Sequence, residues 1–227
     1  MSKNVIYVGA HPDDILSVAG TLCLLKDKGY NIYEFCMSRG EKLTGANFDE
    51  VAALRTLEEE NVCKIIGAEL KFFEQGDGEI YADKAICEAV AAEMAKLQPV
   101  AVFTLWALEK PDHAATAMIA SKAMNLAGLT YATEFYMSKV DYPLNYCYKP
   151  DMYVDISGVI DRVEDVVKCY KHELHGDDPY LAETVQRKRA LGESIFVDAA
   201  ESFVYTLEPI NRRWGRKSEV GEILRGI

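Results

Sequence analysis

A histidine and two aspartates fall within the segment His11-Pro12-Asp13-Asp14, and a second aspartate–histidine pair, Asp112-His113, follows about a hundred residues later. A histidine and a carboxylate three residues apart at a helix start can face one point. A second histidine from another loop would complete the three protein ligands that a catalytic zinc uses, with the fourth position left for water. His11, Asp14 and His113 fit that set. Asp13 would then lie beside the metal-bound water without ligating it, placed to act as general base, and zinc brings the pKa of such a water towards ~7. Each residue alone also has a plainer reading. Asp13 or Asp14 could cap a helix N-terminus, His11 could be a hydrogen-bonded loop residue, and His113 could be a polar residue opening a helix.

The elements around these residues predict how they meet. Val5 to Val8 reads as a strand, followed by a helical pattern from Leu16 to Leu25 that Gly29 closes. The alternation recurs: strand Ile32 to Met37, helix Asp49 to Ile66, strand Leu70 to Phe73, helix Asp83 to Leu97, strand Val100 to Leu105, helix His113 to Ala127. Strands alternating with helices imply right-handed crossovers and an α/β, Rossmann-like fold: a mainly parallel sheet with helices on both faces. In such a sheet ligands bind at the carboxyl ends of the strands, and both His11 to Asp14 and Asp112-His113 follow strand ends. Beyond Tyr131 the pattern loosens into a strand at Thr133 to Val140, a tyrosine-rich loop, a strand at Met152 to Ile156, and helices over Val159 to Leu174 and Tyr180 to Phe196.

Composition excludes several function classes. The 227 residues, about half of them hydrophobic, suit one domain spanning 1–227. No run approaches the roughly 20 apolar residues of a membrane span, and the N-terminus lacks a signal-peptide layout, so a cytoplasmic location is expected. The 36 acidic and 25 basic residues give a net charge of -11, which repels a phosphate backbone and argues against nucleic acid as partner. The six cysteines include no C-x-x-C pair, so neither a disulfide framework nor a thiolate metal site is expected.

The segment Val8-Gly9-Ala10-His11-Pro12-Asp13-Asp14, with Ala19-Gly20-Thr21 after it, resembles the N-terminal signature of the LmbE-like or PIG-L-like deacetylases. Ser38-Arg39-Gly40-Glu41 is similar to that family's Gly-Glu loop, Arg55 with Glu58 and Ile66-Gly67 to its arginine-bearing helix, and Asp77-Gly78 to the loop after its third strand. Pro111-Asp112-His113 resembles the second metal motif, and Ala200-Glu201-Ser202-Phe203 the late Ala-Glu-x-Phe element. The resemblance implies zinc held by His11, Asp14 and His113, Asp112 as a supporting carboxylate, Asp13 as the base, and Arg55 and Asp77 as contacts to an acetylated amino sugar. It implies hydrolysis of an N-acetyl group on a glucosamine-type conjugate, and self-association would suit it. Iron or another divalent ion is the alternative metal, since ligand type alone does not separate first-row ions.

Two positions depart from the family pattern. Ile15 replaces the usual glutamate after the paired aspartates, and Lys110 stands where the second motif usually begins with histidine. Lys110 would bring positive charge to an oxyanion, but an ammonium yields its proton less readily than an imidazolium. His172, Glu173 and His175 lie near the place where the family has Ser-Gln, and Tyr142, Tyr146 and Tyr148 could line a sugar pocket or merely pack. Two other readings stand beside the enzyme: a member that keeps the metal and binds sugar without hydrolysis, and a nucleotide-binding module. Against the latter, there is no G-x-G-x-x-G or P-loop pattern, and Asp13-Asp14 occupies the place of the anion.

Overall fold

The structure, a computed structural model, describes residues 3–42, 47–140, 147–171 and 179–207. Tyr142, Tyr146, His172, Glu173 and His175 lie outside the described residues. Strand β1 (Asn4–Gly9) is followed by a 3-10 turn (Asp14–Ser17) and helix α1 (Ala19–Asp27), then β2 (Asn31–Ser38), α2 (Phe48–Ile66), β3 (Ala68–Gln75), α3 (Lys84–Leu97), β4 (Ala101–Leu105) and α4 (Pro111–Leu126). The second half runs β5 (Glu134–Ser138), β6 (Met152–Asp155), α5 (Ile160–Val167), α6 (Pro179–Glu193) and β7 (Ala200–Leu207).

The strands form one seven-stranded sheet in the order β3-β2-β1-β4-β5-β7-β6. β1 to β5 are parallel, and β7 enters antiparallel between β5 and β6. β1 shows why the sheet is covered on both faces: Val5 and Tyr7 pack into one core with α1 and α5, while Ile6 and Val8 pack into the other with α3 and α4. Strand order reverses between β1 and β4, and the loops after these two strands meet at the carboxyl edge of the sheet.

The expected α/β layout is present, with three local differences. The helix expected from Leu16 is preceded by the 3-10 turn, whose first residue is Asp14. The helix expected over Val159 to Leu174 stops at Val167. β7 is a strand for which the sequence pattern gives no element, and it carries the Ala200-Glu201-Ser202-Phe203 segment into the sheet. Among the described residues, no helix is long and apolar enough to cross a membrane.

Candidate metal centre

The site starts at the end of β1. Asp14 folds back so that its Oδ2 accepts from the backbone N–H of Ala10 at 2.9 Å and of His11 at 2.8 Å. Burial opposes the charge on Asp14, but His113 and His11 beside it prevail and hold its carboxyl well below the usual range. His113, in the first turn of α4, places Nε2 3.2 Å from Asp14 Oδ1. That nitrogen is buried without a hydrogen bond of acceptable geometry. The opposite nitrogen, Nδ1, lies 2.7 Å from Glu109 Oε2. Burial disfavours the imidazolium, yet Asp14 and Glu109 raise the His113 pKa to about 9.

His11 is held in a similar way. Its Nε2 lies 3.2 Å from both Asp77 Oδ1 and Asp112 Oδ2, which leaves Nδ1 on the Asp14 side at 3.5 Å from Asp14 Oδ2. One ligand atom from each of His11, Asp14 and His113 lies within 4.8 Å of the others. A buried imidazole nitrogen that faces a carboxylate at 3.2 Å without a well-formed hydrogen bond, with a second imidazole nearby, belongs to a donor set that suits a divalent cation. Metal-ligating histidines commonly have the other ring nitrogen fixed by a carboxylate. Glu109 does this for His113, and Asp77 and Asp112 do it for His11. His11, Asp77 and Asp112 also cluster closely enough to ligate. Their oxygens, however, face His11 Nε2 and backbone donors: Asp112 Oδ2 accepts from Gly78 N at 2.6 Å and Asp77 Oδ2 from Lys42 N at 2.9 Å.

Asp13 stands beside this centre with φ 85°, in the left-handed region that non-glycine residues rarely occupy. Arg55 holds it there: Nη2 donates to Asp13 Oδ1 at 2.9 Å and to Pro12 O at 2.6 Å, and Nη1 donates to Gly40 O at 3.0 Å. Gly40 has φ 62°, and a Cβ there would overlap the Arg55 guanidinium, which accounts for glycine at this turn. Burial raises the Asp13 pKa, partly opposed by Arg55. Lys110, half-buried at the start of α4, is close enough to act on Asp13 electrostatically in the same sense as Arg55.

The motif residues thus fall into place with separate tasks. Arg55 is only 3% exposed, beneath Asp13, and Asp77 is joined to His11. Ile15 is fully buried in the core with Leu16 and Val18. Glu201 on β7 accepts from Gly20 N at 2.9 Å and from Thr21 N at 2.8 Å, capping the N-terminus of α1, and pairs with Lys188 Nζ at 2.6 Å. A Cβ at Gly20 would meet Ile156 Cδ1 at 2.8 Å, so glycine lets α1 approach the segment after β6. Tyr148 donates its hydroxyl to Ser202 O at 2.7 Å and packs edge-on against Trp106. The sequence reading missed Glu109; its signal was its position four residues before His113 on the approach to α4.

Comparison with known proteins finds related sequences and a related fold. The family described as PIG-L, GlcNAc-PI de-N-acetylase, matches residues 6–124. A 4-oxalmesaconate hydratase of Pseudomonas putida is 25% identical over 224 residues, covering 89% of this chain and 86% of that protein. A diacetylchitobiose deacetylase of Thermococcus kodakarensis is 26% identical over 205 residues, covering 79% of this chain and 75% of its own length. Among solved structures, a conserved protein of Thermus thermophilus superposes with a TM-score of 0.77 at 26% identity, covering 92% of this chain and 96% of that one.

Proposed function

The chain belongs to the PIG-L family, and from that premise we propose that it is a metal-dependent hydrolase that removes the acetyl group from an N-acetylated amino sugar. The observation that carries the reading is the convergence of His11, Asp14 and the buried His113 Nε2 beside the Asp13 carboxylate. We take residues 1–227 as one domain and zinc as the ion. Zinc held by His11, Asp14 and His113 would supply a Lewis acid for the acetyl carbonyl and acidify water near neutral pH.

The chain's own residues perform the proton transfers. Arg55 occupies Asp13 Oδ1, so Oδ2 is the oxygen that takes the proton from the attacking water. Burial raises the basicity of that carboxylate, and the same oxygen returns the proton to the amine nitrogen as the C–N bond breaks. Lys110, which acts electrostatically on Asp13, would bring positive charge to the carbonyl oxygen as it turns anionic. Arg55 and Asp77 influence substrate through the groups they hold, Asp13 and His11.

The test is acetate release by zinc-loaded protein from a panel of N-acetylglucosamine conjugates and N-acetylated disaccharides. Release that is lost in Asp13→Ala is the expected result. A second reading, water addition to a carboxylated alkene, is favoured by similarity to the hydratase. It would replace the first if no acetate appears while such an alkene loses its conjugated absorbance in an Asp13-dependent way.

A further inference from the structure

Behind Asp13 lies a buried acidic cluster that the proposed chemistry leaves unused. Glu34 in the middle of β2 and Glu59 on α2 are both 0% exposed, and one ligand-type atom from each of Glu34, Glu59 and Cys63 lies within 4.8 Å of the others. Arg55, Glu59 and Cys63 recur every four residues, so one face of α2 presents all three towards the sheet edge. Glu59 Oε2 accepts from the backbone N–H of Asp13 at 3.2 Å and from the Tyr170 hydroxyl at 2.8 Å. Cys63 Sγ donates to Glu34 Oε2 at 3.0 Å. The remaining oxygens, Oε1 of each glutamate, are buried with no donor other than the facing carboxyl.

From this geometry we infer that Glu34 and Glu59 share one proton, and that Glu59 so protonated is a positioning residue that fixes Asp13 for the reaction. The proton sits on Glu59 Oε1 and is donated to Glu34 Oε1. Glu59 Oε2 is then a carbonyl-type oxygen, free to accept from both Asp13 N–H and Tyr170 O–H, while Glu34 accepts from Glu59 and from Cys63. Every buried polar group of the cluster is then satisfied, with one negative charge where two would face each other without water. Burial, together with the facing Glu34, pushes the Glu59 pKa well up, in the same direction. Cys63 Sγ donates to Glu34 Oε2, so the thiol serves the cluster as a neutral hydrogen-bond donor, and burial holds it in that form.

The consequence lies in the backbone of Asp13. Asp13 holds φ at 85° with its N–H donated to the buried Glu59 Oε2, and an unsatisfied N–H there would favour relaxation to an ordinary conformation. Arg55 fixes the carboxylate and Glu59, one turn along α2, fixes the backbone, so helix and base move as one unit. This inference rests on Asp13 being the base of the proposed hydrolysis, so its test includes readouts independent of turnover.

Glu59→Leu, Glu59→Gln and the native protein would be compared by infrared spectroscopy at pH 8, by crystallography, by metal content and by acetate release. The expected result is a carboxylic-acid C=O band in the native protein that Glu59→Gln removes. Asp13 should leave the left-handed region in Glu59→Leu and keep it in Glu59→Gln, whose amide oxygen still accepts its N–H. If acetate release is established, kcat should fall about 100-fold in Glu59→Leu with KM nearly constant, and Gln should restore most of it. Absence of the acid band, an unmoved Asp13 in Glu59→Leu, or a metal equivalent lost in Glu59→Gln would overturn the inference whether or not acetate is released. Failure of acetate release in every protein, with the band and the Asp13 shift as expected, would overturn the hydrolase reading alone.

Discussion

Asp13 concentrates the account at the scale of single residues, because two constraints converge on it: Arg55 at its carboxylate and Glu59 at its backbone. Asp13→Asn should keep the metal and lose about 10²- to 10⁴-fold in kcat, as removal of a general base does; turnover and metal content measured on one preparation check this. Glu34 gives a prediction with a defined sign. Burial raises its pKa from an ordinary 4.5 to about 7, against the hydrogen bonds it accepts. Between those values the unfolded chain has released the proton that the folded chain still holds, so the Glu34 contribution to stability falls as pH rises from about 4.5 through about 7 and changes no further above it. Glu34→Gln should make the fall between pH 4 and 8 shallower while the part due to Glu59 remains, which denaturant unfolding would show; an unchanged pH profile would contradict the assignment. His11, Asp13, Asp14, Asp112 and His113 were legible in the sequence because polar residues of metal-ligand type directly after apolar strands have few structural reasons to be there. Glu59 was not, since within Glu58-Glu59-Glu60 it looks like part of a solvated helix face, and Glu34 passed as the polar member of an apolar strand.

Among the elements, β7 ties the late part of the chain to the first helix. Its Glu201 caps α1 and pairs with Lys188 of α6, both side chains nearly inaccessible. Lys188→Ala leaves the Glu201 charge buried with only the α1 donors, and should cost about 3 kcal/mol in denaturant unfolding. Arg189→Ala, which breaks an exposed pair with Glu164, should cost less than about 1 kcal/mol. β1, β2, β4 and β5 were readable because both their faces are covered, which yields short apolar runs ended by glycine or polar residues. β7 was not, because its polar residues Glu201, Ser202 and Thr206 interrupt the pattern and its place in the sheet depends on antiparallel partners distant in sequence. The helix from Val159 extended too far in the sequence reading for the opposite reason: apolar residues continue through Val167 to Tyr170, although the backbone leaves the helix.

For the whole molecule, the candidate metal centre joins the loops after β1 and β4 across the point where strand order reverses, so an ion there would cross-link the two halves of the sheet. Zinc at 100 times its dissociation constant should add about 2.7 kcal/mol to stability. For a chain of this size chelation should therefore lower Tm by about 5 to 10 °C, and thermal unfolding with and without chelator checks it. The net charge of -11 makes the surface inhospitable to polyanions such as nucleic acid. The most direct test of the central claim is zinc content per chain, determined together with acetate release, for the native protein, His113→Ala and Asp13→Ala. The account expects one zinc and turnover in the native protein, loss of both in His113→Ala, and one zinc without turnover in Asp13→Ala. Zinc retained in His113→Ala, or acetate released by Asp13→Ala at the native rate, would contradict it.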